Sequence, residues 1–255
     1  MIAIGGTNIV KAYLGQTELA NIAIGDELLL GSEPISYIDW IKSMGCITWL
    51  PLSSEGDLTD RITGLSLQLT GYGSLTWDAT AGMYKVKNPS NTVGRHVAWL
   101  DNGMTASDFP DNCFTSLTSF QKITSTGYAA ASQISPKSTN SNTIASLNPT
   151  YNGIGNVANY PNELLKLAEY VGNDKRVYIQ QGNIYTEKTP YVDYLPSNWV
   201  TTGSGLALGI IRSSTNSYYN KEYYVKDIYI FKKKLSLGTI RQIQGYDPLP
   251  SWVIT

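Results

Sequence analysis

The side chains that could catalyse a reaction are few, and their spacing does not favour catalysis. The chain has one histidine, His96, in the sequence GRHVAWLD, so a Ser-His-Asp triad would depend on it alone. A single histidine beside apolar neighbours is more often a structural hydrogen-bonding group. A glycosidase needs two carboxylates about 5–10 Å apart. Glu222 and Asp227 are an odd number of positions apart and are predicted to lie on opposite faces of a strand. We therefore expect a protein that is not an enzyme.

Oxygen-bearing side chains are concentrated in residues 99–112, WLDNGMTASDFPDN. Hard cations prefer oxygen ligands, and Asp101, Asp108 and Asp111 are the candidate ligands for Ca²⁺ here. The same residue types favour turns, and the spacing of an EF-hand is absent. A solvated loop is the preferred interpretation, with no other cofactor expected.

Two aromatic clusters could recognise sugars, because aromatic faces contact sugar C–H groups while amides and carboxylates bind hydroxyls. The first cluster contains Tyr218, Tyr219 and Tyr223 with Asn220. The second contains Tyr191, Tyr194 and Trp199. The alternative is that these rings fill the core of the domain or a subunit interface.

Charge and cysteine content exclude other functions. Nineteen basic and twenty acidic residues give a net charge of −1, so no general attraction to nucleic acid is expected. The three lysines at residues 232–234 are predicted to form a solvated corner. Cys46 and Cys113 are predicted to be buried thiols of a protein assembled in a cytoplasm. No export signal or membrane-spanning segment is recognised, so no membrane insertion is expected.

A ten-residue repeat opens the chain. Each unit, such as Leu14-Gly15 and Ile24-Gly25 with the residues that follow, predicts a glycine turn and a short apolar strand. About thirty residues are too few to bury a core. Residues 1–31 are therefore expected to pack against the next domain, identical copies or a larger assembly. The candidate attachment residues are Ile4, Tyr13, Leu14, Leu19 and Ile24.

Residues 4–30, IGGTNIVKAYLGQTELANIAIGDELLL, resemble a short pattern near the ends of bacteriophage tail and virion proteins. The resemblance implies an appendage of a phage head or tail, assembled in the host cytoplasm. Its N-terminus would dock to other virion proteins, often as a symmetric homo-oligomer such as a trimer.

Residues 32–44 are predicted to be a linker with one or two helical turns, and residues 45–255 to be a mainly β domain. Short β-favouring runs between polar turns predict two packed antiparallel sheets, a jelly-roll sandwich. In YYVKDIYIF, strict alternation places Val225, Asp227, Tyr229 and Phe231 on one face. One internal helix is predicted over residues 160–171, with Pro161 at its start.

Two segments resemble the laminin-G-like or concanavalin-A-like jelly-roll superfamily. They are ITWLPLSSEGDLTDRITGLSLQLTGYGSLTWDATAG (residues 47–82) and VKDIYIFKKKLSLGTIRQI (residues 225–243), the second ending in a short helix that starts at Ser236. Together with residues 1–31, they indicate a non-enzymatic virion structural protein whose jelly roll binds host-surface polysaccharide. A bacterial surface or secreted carbohydrate-binding module is the alternative, and a polysaccharide depolymerase is a third hypothesis.

Overall fold

Most of the β-favouring runs in the sequence form strands. The computed structural model describes residues 12–14, 17–19, 22–24, 27–30, 34–87, 96–105, 108–109, 113–123, 132–136, 145–147, 164–171, 176–180, 183–188, 204–210 and 222–255. The strands in these residues are β1 (Ala12–Leu14), β2 (Thr17–Leu19), β3 (Ile22–Ile24), β4 (Glu27–Leu30), β5 (Ile35–Ser36), β6 (Cys46–Leu50), β7 (Gln68–Leu69), β8 (Ser74–Asp78), β9 (Met83–Lys87), β10 (His96–Met104), β11 (Phe114–Lys122), β12 (Ser132–Pro136), β13 (Ala145–Leu147), β14 (Leu164–Val171), β15 (Arg176–Gln180), β16 (Asn183–Lys188), β17 (Ser204–Ile210), β18 (Glu222–Phe231) and β19 (Val253–Ile254). The helices are α1 (Tyr37–Ser43) and α2 (Leu237–Ile243).

Two antiparallel sheets form the body of the domain. The larger sheet has the strand order β16-β15-β14-β11-β18-β9-β8, and β6 also pairs with β18. The smaller sheet has the order β13-β12-β17-β10-β7. Strand β6, early in the domain, therefore lies beside β18, near its end. This arrangement confirms the predicted two-sheet antiparallel jelly-roll sandwich.

The space between the sheets is filled by a cluster of buried apolar side chains, here called the inter-sheet core. The larger sheet contributes Leu50, Val86, Phe120, Val225 and Ile228, and the smaller sheet contributes Ala98, Leu100, Leu206 and Leu208.

Within the smaller sheet, the neighbouring strands β17 and β10 come into close contact at Gly205 of β17. A Cβ atom at this position would overlap the Leu100 carbonyl oxygen and lie 2.6 Å from Trp99 Cζ2. Glycine is therefore the residue that this approach requires.

Strand β18 contains a β-bulge at Asp227. The register between β11 and β18 shifts between Leu117 and Ser119, so Thr118 of β11 is opposite two residues of β18, Asp227 and Ile228. Asp227 has a φ of 51°, in the left-handed region that few residues other than glycine, asparagine and aspartate adopt.

The bulge corrects the predicted faces of β18. Val225 and Ile228 both lie in the inter-sheet core, whereas Tyr229 and Phe231 lie on the opposite face. The prediction that Val225 shares a face with Tyr229 and Phe231 is therefore wrong. Strict alternation fails because the extra residue, Asp227, reverses the direction of every side chain that follows it.

The helix predicted over residues 160–171 is also wrong, because Leu164–Val171 is the strand β14. This strand pairs with β11 on one side and β15 on the other, with Leu165 opposite Phe120 and Ala168 opposite Leu117. Leu165 faces the inter-sheet core and Ala168 faces the other side, and both are buried. A strand buried on both faces has consecutive apolar residues that imitate the apolar stripe of a helix. Pro161 lies outside the described residues.

The helices and the end of the chain cover the outer face of the larger sheet. Each helix lies where the sequence predicts one and is capped by serine: Ser36 Oγ accepts a hydrogen bond from Asp39 N at 3.2 Å, and Ser236 Oγ from Thr239 N at 3.1 Å. Strands β5 and β19 pair in parallel beside them. The buried residues here, called the outer cluster, are Trp40, Ile41, Cys46, Leu117, Ala168, Tyr229, Phe231, Leu235, Ile240 and Val253. Among the described residues, neither helix has the length and apolar character needed to cross a bilayer.

The ten-residue repeat forms β-hairpins. Strand β1 pairs with β2, and β3 pairs with β4, in two small sheets separate from the two large ones. Of the candidate attachment residues, Tyr13, Leu14, Leu19 and Ile24 are on these strands, and Ile4 lies outside the described residues. Their role in attachment stays a prediction.

Candidate functional site

The predicted aromatic sugar sites are only partly described. Tyr223 is fully buried in the inter-sheet core, where its hydroxyl accepts a hydrogen bond from Gly209 N at 3.1 Å. It therefore fills the core, the alternative that the sequence left open, since it alternates with outward-facing residues on β18. The other predicted ligand residues lie outside the described residues and stay predictions: Tyr191, Tyr194, Trp199, Tyr218, Tyr219 and Asn220.

The candidate calcium loop has one carboxylate that already serves a turn. Asp108 Oδ2 accepts hydrogen bonds from Thr105 N at 2.7 Å and Thr105 Oγ1 at 3.1 Å. Asp101 is exposed on β10, and Asp111 lies outside the described residues. In the described part of the chain, no three His, Cys, Asp or Glu side chains come together where a metal could bind. Calcium binding stays a prediction, which titration calorimetry with CaCl₂ tests.

His96 packs as an aromatic ring and not as a hydrogen-bonding group. Its ring stacks on Trp99 with centroids 5.3 Å apart, and neither ring nitrogen has a hydrogen-bond partner in the described part of the structure. The expected structural hydrogen bond is therefore not made there. Burial lowers the pKa of His96 to about 4, so the imidazole is neutral at physiological pH.

The parity argument for Glu222 and Asp227 is wrong, because the bulge places both on the outer side of β18. Glu222 forms ion pairs with Lys85 and Lys87, the second at 3.5 Å. Five positions along a strand nevertheless separate the two carboxylates by roughly 15 Å. This is beyond the separation of about 5–10 Å that glycosidases use.

The two cysteines and the three lysines at residues 232–234 lie in the environments that the sequence predicts. Cys46 and Cys113 are both buried, and burial raises the pKa of the Cys46 thiol. The lysines at residues 232–234 are exposed, as a solvated corner requires. Lys234 Nζ lies 4.9 Å from the centroid of the Tyr170 ring, so this lysine is held by the surface of the domain.

A polar cavity lies on the outer face of the larger sheet, beside the C-terminal end of α2. We call it the Asp227 cavity. Its volume is about 220 Å³, below the roughly 300–1,000 Å³ of sites for drug-sized ligands. Strands β11, β14 and β18 form its floor, and the end of α2 forms its rim. The residues that line it are Thr118, Ser119, Lys166, Asp227, Tyr229, Ile243, Gln244 and Gly245.

The bulge places the Asp227 carboxylate in this cavity. Asp227 N donates to Pro51 O at 3.1 Å, which fixes the backbone where β18 changes its partner from β9 to β6. No residue in the described part of the chain donates a hydrogen bond to the carboxylate itself. Burial raises the pKa of Asp227 to about 6, although the positive charges of Lys226 and Lys166 act in the opposite direction.

Lys166 is held at the rim by the end of α2. Its Nζ donates a hydrogen bond to the Gln244 carbonyl oxygen and lies 5.0 Å from the centroid of the Tyr246 ring. Gly245, with a φ of 73°, ends the helix: Gly245 N donates to Gln242 O at 3.0 Å and Tyr246 N to Arg241 O at 2.8 Å. These two bonds form a Schellman motif, which is why a glycine stands at the rim.

An aromatic group forms the other wall of the cavity. The Tyr229 ring stacks on Trp49 with centroids 5.6 Å apart and an interplanar angle of 8°. The Tyr229 hydroxyl is hydrogen-bonded to the Tyr37 hydroxyl of α1, with the two oxygens 3.1 Å apart. Tyr229 is therefore fixed by β6 on one side and by α1 on the other, and the wall is rigid.

The cavity combines an acceptor without a donor, hydroxyl groups, an ammonium group and an aliphatic surface. Such a mixture suits a small ligand with several hydroxyl groups, because hydroxyls both donate and accept hydrogen bonds. The sequence reasoning missed this site. Its signal was the charged Asp227 within the apolar strand YYVKDIYIF, where a charge on a central strand needs a separate explanation.

Comparison with solved structures identifies the architecture. The binding domain of botulinum neurotoxin DC, in complex with rat synaptotagmin II, is similar over 80% of this chain and 52% of that chain, with a TM-score of 0.53 and 10% identity. The likeness is one of fold. Botulinum neurotoxin type C, whose cell entry depends upon interaction with two ganglioside molecules, gives a TM-score of 0.52 and 12% identity over 81% of this chain and 53% of that one.

A third similar structure is the binding domain of Paraclostridial Mosquitocidal Protein 1, with a TM-score of 0.50 and 10% identity over 79% of this chain and 52% of that chain. The chain thus spans about half the length of the binding domains that it resembles. No protein-family model matches the sequence, and no curated protein matches it. All three similar structures are binding domains or belong to a protein that binds gangliosides, and none is a catalytic domain by its description.

Proposed function

We propose that this chain is a non-enzymatic carbohydrate-binding sandwich of the laminin-G-like type, displayed on a bacteriophage virion through residues 1–31. The observation that carries the binding function is the Asp227 cavity, a polar pocket with an acceptor that no described residue satisfies. The fold supports it, because similar sandwiches occur in binding domains, one of them from a ganglioside-binding toxin. The separation of Glu222 and Asp227 argues against hydrolysis.

The binding function is tested with the full chain on an array of immobilised neutral and sialylated oligosaccharides. We expect weak binding of single copies, strengthened when copies are clustered, since many weak sites on one particle act together. Absence of binding to every oligosaccharide, in clustered form, contradicts the binding function. Shortening of a bound polysaccharide during incubation contradicts the absence of catalysis and favours the depolymerase hypothesis.

The two hairpins of the ten-residue repeat, β1–β2 and β3–β4, support the virion role. Isolated two-stranded hairpins are marginally stable in water, so β1–β4 need a partner surface. We expect the full chain to form a homo-oligomer, and a full chain carrying Leu14→Glu and Ile24→Glu to be a monomer with a folded sandwich. Light scattering after size-exclusion chromatography measures both. Mass spectrometry of purified phage particles then tests location: the chain in particles supports the proposal, and the chain on bacterial surfaces alone refutes it.

A further inference from the structure

The Asp227 cavity has a feature that stability does not explain. Asp227 occupies a strained backbone conformation, with a φ of 51°, in the middle of the central strand β18. Its carboxylate receives no hydrogen bond from the described residues. Strained backbone and partly desolvated charged groups both destabilise a fold, and they are concentrated at ligand sites. Asparagine or glycine would tolerate this φ without placing a charge at a half-buried position, so a stability role would not select aspartate.

We propose that the Asp227 cavity binds a neutral saccharide ring and that the Asp227 carboxylate selects two adjacent hydroxyl groups on that ring, an inference that rests on the proposed function. A carboxylate has two oxygens and accepts hydrogen bonds only, so its ligand must donate. Two hydroxyls on neighbouring carbons match the two oxygens as a bidentate pair. Ser119, which lies on the adjacent strand and shares the outer face with Leu117, supplies a hydroxyl that donates to the ring or accepts from it.

The charges around the cavity favour a neutral ligand. The Asp227 carboxylate repels an anion in this partly desolvated space. Lys166 at the rim and Lys226, which is on β18 next to Asp227, disfavour a cation. Size gives the second restriction. A volume of about 220 Å³ suits one ring, and the side chain of Ile243 offers an apolar surface to the C–H groups of that ring.

Binding should depend on pH, because only the ionised carboxylate accepts two hydroxyl donors. The titratable groups around it are Lys166 on β14, Lys226 and Tyr229 on β18, Tyr37 on α1 and Tyr246 after α2. Of these groups, burial raises the pKa of Tyr37 to about 12 and that of Tyr229 well above its ordinary value. Near pH 6 we therefore expect the change in affinity to come from Asp227, whose pKa is about 6. Binding should be about tenfold weaker at pH 5 than at pH 7.5, in proportion to the ionised fraction.

The experiment uses the full chain and the methyl glycoside of whichever terminal sugar the array identifies. Titration calorimetry at pH 7.5 compares the wild type with Asp227→Asn, which keeps the side-chain shape and tolerates the backbone φ. Glu55→Gln is the matched control, because it removes an exposed carboxylate in the loop at residues 53–57. We expect at least tenfold weaker binding for Asp227→Asn, since a hydrogen bond to a charged group is lost. The control should bind like the wild type.

Each result separates this inference from the proposed function. A sugar that binds the wild type and Asp227→Asn equally overturns the inference and leaves carbohydrate binding in place at another site. Binding restricted to sialylated sugars overturns the neutral class. An affinity that does not change between pH 7.5 and pH 5 overturns the role of the ionised carboxylate, and it needs no variant. Absence of binding to every sugar, clustered or not, refutes the proposed function itself.

Discussion

Replacing Asp227 by asparagine should make the domain more stable at neutral pH, although it removes the proposed ligand contact. The pKa of Asp227 is about 6 in the folded domain and 3.8 as its ordinary value. The folded state therefore holds the proton more tightly than the unfolded state does. Protonation of Asp227 therefore stabilises the folded domain fully below about pH 4, and this stabilisation is lost as the pH rises through 6.

The magnitude follows from the difference between the two pKa values, about two pH units, which corresponds to about 3 kcal/mol. Asparagine carries no charge at any pH and tolerates the φ of 51° at this position. We expect the Asp227→Asn domain to exceed the wild type by up to about 3 kcal/mol in free energy of unfolding at pH 8. At pH 4 the two proteins should be nearly equal.

Urea unfolding between pH 4 and pH 8, followed by tryptophan fluorescence, measures this difference. Glu55→Gln shows the effect of removing an exposed carboxylate, which should stay within about 0.5 kcal/mol of the wild type. A difference between Asp227→Asn and wild type that does not vary with pH refutes the reasoning, and so does an asparagine variant that is less stable at pH 8. A more stable variant that loses sugar binding excludes unfolding as the cause of the loss.

Four further substitutions test a buried ring, a helix end and the approach of two strands. His96→Phe should keep the stacking on Trp99. Its free energy of unfolding relative to wild type should rise by about 3 kcal/mol between pH 7 and pH 4, because the wild type loses stability as the pH falls through the His96 pKa of about 4. A difference between the two proteins that stays constant with pH in urea titrations contradicts this. Gly245→Ala, just after α2, should lower the free energy of unfolding by about 1–2 kcal/mol, because Gly245 has a positive φ. Gly238→Ala, inside α2, should raise it by about 0.5–1 kcal/mol. Thermal melts in which both variants change stability in the same direction are evidence against the assigned helix end. Gly205→Ala should destabilise by about 3 kcal/mol or more, since its Cβ would overlap the Leu100 carbonyl; a melting temperature near that of wild type contradicts the close approach of β10 and β17.

The architecture could be predicted from the sequence because its strands are short β-favouring runs between turn residues. Runs such as Arg176–Gln180 and Glu222–Phe231 are β-favouring and lie between turn residues, and both form strands close to the predicted bounds. The two short helices begin after Ser36 and Ser236, whose side chains cap them. These features are local, so a single sequence contains the information that determines them.

The errors concern features that depend on distant neighbours. Strand β14 has a buried apolar side chain on each face, Leu165 on one and Ala168 on the other, because the smaller sheet and α2 cover it from opposite sides. No local pattern separates such a strand from a helix. The bulge at Asp227 depends on β6 and β9 sharing one edge of β18. Since the site is built on that bulge, its position could not be predicted without the pairing of the strands.

The sharing of one edge explains why fold and site coincide at Asp227. Strand β9 pairs with β18 up to Val225, and β6 pairs with it from Ile228 onward. Between these residues the chain must change partner, and the extra residue supplies the bend that this change requires. The same residue keeps Val225 and Ile228 on the core side, so one side chain, that of Asp227, is released from the alternation and turns outward. A closed jelly roll thereby creates a position that the core does not use, and the chain has an acidic group at that position.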